Sequence, residues 1–191
     1  MFKFLEKISS QNSILIIAFK GWSDAAEAAT SAVDTIIKNY DSKKFASFEE
    51  EEFFAFARER PNIKNSKDGR IIEWPNNDLY YIQDAIENTP LIIMNGTEPH
   101  FKWKTFSKEV IDLCLSMNVT SVVTLGALLD SIPHTRGVKT QITGQHEYMP
   151  EAFTQNKIGP SKYEGPTGIL SLIHISEPTR LLSISYAVFC V

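Results

Sequence analysis

The chain has 191 residues, with 19 Lys and Arg against 23 Asp and Glu, four His, and a formal charge of −4. That length fits one domain able to bury a core without metal or disulfide staples, and 43% hydrophobic with 22% charged residues is a globular composition. The mild acidity argues against a nucleic-acid binder, which presents a basic face. The two cysteines, Cys114 and Cys190, form no disulfide framework and fit a reducing, cytoplasmic setting.

The start Met1–Glu6 is charged, and the apolar run Ile14–Phe19 is too short for a secretory signal core. Ser13–Phe19, rich in Ile, instead predicts a strand buried on both faces. Lys20–Ser23 forms the turn after it. Asp24 is placed to cap a helix, with Glu27 three residues on as a capping-box partner. Ala25, Ala28, Ala29, Ala32, Val33, Ile36 and Ile37 recur at helical spacing, and the alanines allow close approach to a sheet.

A second strand is expected at Phe45–Phe48, before the acidic run Glu49–Glu52, which reads as a solvated loop or helix start. Phe53, Phe54 and Phe56 belong to the core or to a subunit interface, since a stacking platform for nucleic acid needs basic surroundings. Asn62–Gly69 reads as a polar turn, and Arg70–Pro75 as a hairpin strand. Leu91–Met94 is a further buried strand, Trp103–Met117 a helix, and Ser121–Leu125 a third apolar strand. The predicted fold is therefore α/β, a three-layer arrangement with a mostly parallel sheet flanked by helices.

Ligands in such folds bind beyond the carboxyl ends of the strands. The loops 20–24, 95–102 and 126–136 lie there, and they nominate Trp22, Asp24, Glu98, His134, Thr135 and Arg136 as a candidate pocket. Glu98 could serve as a base or accept a ribose hydroxyl. His134 beside Arg136 suits an anion, with Asp130 orienting the imidazole. Equally, Glu98 could cap the next helix and Pro133 could stiffen a purely structural loop. Gly21–Asp24 carries one glycine and an acid where a phosphate would need free N–H groups, so it is no dinucleotide turn. His100, His134, His146 and His174 lack metal-ligand spacing, no nucleophile elbow is present, and no cofactor is implied.

Eight short segments, in order, resemble the proteasome assembly chaperone 2 family of archaea and bacteria. They are Gly21–Asp24, Glu52–Phe54 with Arg60-Pro61, Trp74-Pro75, Gly96–Pro99, Trp103–Phe106, Thr124–Ala127, Pro133–Arg136 and Tyr163–Ile169. The resemblance implies a nucleoside-phosphorylase-like fold and a homo-oligomer. It also implies an assembly role toward proteasome subunits and no established catalysis. Some relatives carry a carboxylate–amine ligase label, which the absence of a glycine-rich nucleotide loop does not support. Ala55-Phe56 stands where the family usually has Asp-Tyr, and Gly137 where proline follows the arginine. The competing expectation is a binder or enzyme for nucleoside- or phosphate-type small molecules at the strand-end loops.

Residues 170–191 hold 13 hydrophobic residues and two charges, Glu177 and Arg180. Those charges and Pro178 break the run well short of the ~20 residues of a membrane span. Ser171–Cys190 resembles translated sequencing-adapter DNA. The expectation is a truncated family domain over residues 1–169, joined to a non-native tail over 170–191.

Overall fold

The structure, a computed structural model, describes residues 2–8, 10–48, 51–67, 69–86, 89–131, 133, 135–136, 140–144, 164–176 and 183–190. The element that organises it is the Ile-rich strand β2 (Ser13–Lys20), which follows a two-residue strand β1 (Lys3–Phe4). Because side chains alternate along a strand, Leu15, Ile17 and Phe19 enter one core cluster, while Ile14, Ile16 and Ala18 belong to another. Both faces are thus dry, and each needs a helical cover.

Helix α1 (Ala28–Asn39) covers the second face, where Ala29 and Val33 meet Ala18, Leu91 and Ile93. The small alanines let the helix sit close, as their spacing predicts. Helix α2 (Trp103–Ser116) covers the first face through Phe106, Val110, Leu113 and Cys114, joined there by Ile169, Leu170 and Ile173 of helix α3 (Ile169–Ser176). These are the three layers expected.

The remaining strands are β3 (Lys43–Phe48), β4 (Asn62–Ser66), β5 (Gly69–Glu73), β6 (Asn77–Ile86), β7 (Thr89–Thr97), β8 (Val119–Leu128), β9 (Thr140–Gly144) and β10 (Ser183–Cys190). Six of these join β1 and β2 in one eight-stranded sheet, in the order β1-β3-β6-β7-β2-β8-β10-β9. Its centre, β7-β2-β8-β10, is parallel, and antiparallel pairs extend it on both sides. The sheet is therefore mixed, with its parallel part where the apolar strands were predicted.

Two elements differ from expectation. Asn62–Ser66, read as part of a turn, is strand β4 of a separate hairpin with β5. Every residue of its two strands is exposed, so no buried face imposed an alternating pattern on their sequence. The ten-residue strand β6 carried no clear signal either. Its polar ends and a register shift between Ile82 and Ile86 interrupt the period of two.

Four phenylalanines fix the loops around the sheet end. Phe48, Phe53 and Phe106 contact one another edge-on, with ring centroids 4.9 to 6.0 Å apart, and Phe19 meets Phe106 at 5.7 Å. Such pairs contribute about 0.5–1.5 kcal/mol each beyond their burial. Phe53 and Phe54 thus belong to the core, which resolves the choice between core and interface for them. Phe56 is half-buried and packs against Trp74 with the rings tilted by 60° and their centroids 4.9 Å apart. On the α1 side, burial raises the Tyr80 phenol above its ordinary value of 10.0, and the carboxylates of Asp78 and Asp34 reinforce the shift.

Candidate functional site

Strands β2 and β7 end side by side, and Glu98 begins the loop beyond β7. Its backbone N–H donates to the Lys20 carbonyl at 2.9 Å. Its carboxylate accepts from two distant backbone N–H groups, Trp22 at 3.3 Å on Oε2 and Ile169 at 3.0 Å on Oε1. One side chain therefore ties together the turn after β2, the end of β7 and the first residue of α3. Gly21 makes this approach feasible: its φ is +149°, and an added Cβ would lie 2.9 Å from Glu98 Oε2.

Asp24 does something else. It is 6% exposed, and its Oδ1 accepts the N–H groups of Ala29 at 2.8 Å and Thr30 at 3.3 Å, while Oδ2 takes the Thr30 hydroxyl. It caps α1 as expected, but the Glu27 partnership does not form. Ala26 and Glu27 both adopt left-handed backbone (φ 55° and 54°), and Glu27 turns to Lys20 Nζ, 3.2 Å away. Two consecutive non-glycine residues in that region cost of order 1 kcal/mol each. Asp24 and the Ala127 N–H, which donates to the Ser23 carbonyl at 2.8 Å, hold the segment there.

Between these strand ends lies a cavity of about 260 Å3, lined in part by Lys20, Trp22, Arg58, Glu59, Glu98 and Trp103. His100 also lines it. The His100 Nδ1 accepts the Ala55 N–H at 3.3 Å, so the neutral ring carries its proton on Nε2. Trp103 is oriented by donation from Nε1 to the Pro99 carbonyl at 2.6 Å. Arg58 reaches the cavity because the N–H groups of His100 and Phe101 both donate to the Phe53 carbonyl, at 2.7 and 3.2 Å. That clamp draws segment 53–59 over the loop after β7.

Of the residues nominated from sequence, Trp22 and Glu98 meet at this cavity, and Asp24 does not line it but caps α1. Thr135 and Arg136 are exposed, in a turn closed by donation from Arg136 N to the Pro133 carbonyl at 2.9 Å, and do not line the cavity. His134 lies outside the described residues. Arg58, Glu59 and Trp103 were not nominated; they sit far from Glu98 in sequence or read as ordinary helix residues, and only the Phe53 packing brings Arg58 across. A larger hollow of about 600 Å3, walled in part by the paired Glu6 and Lys43, opens at the amino ends of β3 and β7. Parallel sheets place their ligands at the other end. Among the described residues there is no cluster suited to a metal ion, and no helix is long and apolar enough to cross a membrane.

Residues 18–183 match the model of the PAC2 family. The chain belongs to the PAC2 family. A PAC2 family protein from Streptomyces avermitilis is similar at 28% identity and TM-score 0.81, covering 94% of this chain and 75% of that one. A proteasome-assembly chaperone homologue from Mycobacterium tuberculosis is 27% identical with TM-score 0.73, covering 92% and 74%. An archaeal homologue of proteasome-assembly chaperone from Pyrococcus furiosus, at 13% identity and TM-score 0.68, covers 100% and 76% and shares the fold. No curated protein matches this chain.

Proposed function

We propose that this PAC2 family protein is a non-enzymatic, homo-oligomeric assembly factor of the cytoplasm that engages proteasome subunits. Family membership and the chaperone homology named for the Mycobacterium tuberculosis relative support the reading. The observation that carries it is the β4–β5 hairpin. Ile63, Ile71 and Ile72 are 60%, 49% and 56% exposed on it, and Trp74 follows at 53%. A two-stranded ribbon is marginal in water by itself, and exposed Ile–Ile cross-strand pairing such as Ile63 opposite Ile72 gains its stability by being covered. A second copy of the chain is the occupant this reading assigns.

Light scattering on the purified full chain, with pull-down against proteasome α-subunits of the same host, tests it. The wild type is expected to be oligomeric and to retain the subunits. Ile72→Asp is expected to shift it toward monomer while the circular dichroism spectrum is unchanged. A monomeric wild type that retains no subunit refutes the reading. A second function, small-molecule binding at the strand ends, is favoured by the cavity beside Glu98.

A further inference from the structure

The adjacent parallel strands β2 and β7 send their chains to opposite faces of the sheet, β2 into α1 and β7 into α2. A crevice opens beyond two such strands because neither crossover covers it, and ligands of open α/β sheets bind there. In this protein that crevice is the cavity of about 260 Å3 beside Glu98. Topology and cavity therefore agree on one place, independently of the assembly role.

The chemistry of the wall narrows the occupant. Lys20 is matched by Glu27. Arg58 has no ion-pair partner among the described residues, and its planar guanidinium suits a carboxylate. Each Glu98 oxygen accepts one N–H and keeps a lone pair for another donor. The imidazole of His100 offers an Nε2–H donor, and the indoles of Trp22 and Trp103 offer apolar walls with negative faces. An anion alone would leave Glu59 and Glu98 uncompensated, and a cation alone would oppose Arg58. We propose that the cavity binds a small zwitterion, a free α-amino acid, with its carboxylate toward Arg58, its ammonium toward Glu98 and its side chain against the indoles.

Melting curves of the full chain with each standard L-amino acid at about 10 mM test this, since a ligand that binds only the folded state raises the melting temperature. The N-acetyl and carboxamide derivatives of the best amino acid and inorganic phosphate are run beside them, and each shift is read against that variant's own melting temperature. At least one amino acid is expected to raise it by several degrees. Both derivatives should lose the effect, Arg58→Gln should abolish it, and Arg58→Lys should weaken it. No shift with any amino acid overturns the proposal. So does a shift that survives in the derivatives or in Arg58→Gln, or one produced by phosphate.

Discussion

Replacing Gly96 by alanine tests the account of how the sheet end is built. Gly96 pairs with Asn77 across β6 and β7. A Cβ added there would lie 2.6 Å from Asn77 Cα and closer still to Asn77 Oδ1 and the Asn76 carbonyl. Relieving the clash with the Asn77 backbone alone, to an ordinary 3.4 Å, means moving β6 by about 0.8 Å. That displacement takes the bond from Thr97 N to the Asn76 carbonyl, 3.1 Å, out of range. Overpacking of about 1–3 kcal/mol plus one lost hydrogen bond of about 1 kcal/mol gives roughly 2–4 kcal/mol. For a chain of this size the melting temperature should fall by about 5–15 °C. Gly69→Ala gives the complementary case, backbone strain at φ +124° with nothing within 4 Å of the added methyl. Differential scanning fluorimetry of the two variants decides the matter. A Gly96→Ala protein that melts within a degree of wild type would refute the reasoning.

Asp24→Ala removes the acceptor for two helix N–H groups and should cost about 1–2 kcal/mol, seen as a lower denaturant midpoint, while Asp24→Asn recovers most of it. Because the Tyr80 phenol titrates higher in the folded than in the unfolded chain, its contribution is complete below pH 10 and declines as pH rises through the folded value. Urea midpoints between pH 9 and 11 should therefore fall more steeply for wild type than for Tyr80→Phe; parallel curves contradict that assignment. Glu98→Ala should accelerate amide exchange at Trp22 and Ile169 together, and exchange faster at one alone breaks the claim that one carboxylate holds both.

The apolar strands and both long helices could be read from sequence because each faces a dry surface on at least one side. Ile and Val runs in β2, β7 and β8, and the alanine series in α1, leave a periodic trace that burial enforces. The hairpin β4–β5 leaves none, since neither of its faces is buried. Strand β6 is obscured by its register shift and by Asn77, a polar residue buried completely at a position where hydrophobic patterning expects an apolar one. For the site, strand-end position was enough to select Trp22 and Glu98. It selected Asp24 as well, whose short side chain turns back to its own helix. Arg58 was invisible because its place depends on Phe53 packing among Phe48 and Phe106, a long-range association that no local pattern encodes.

Glu98 stands at a junction shared by two events. The oxygen that accepts the Ile169 N–H anchors α3, and the same carboxylate forms part of the cavity wall. Whatever draws on Glu98 from the cavity alters its hold on α3, and whatever loosens α3 alters the charge the cavity presents. The two are thermodynamically linked, with the same coupling free energy in either direction. Occupancy of a small site between two strands would thereby be reported some distance away, in how firmly α3 is seated on the sheet.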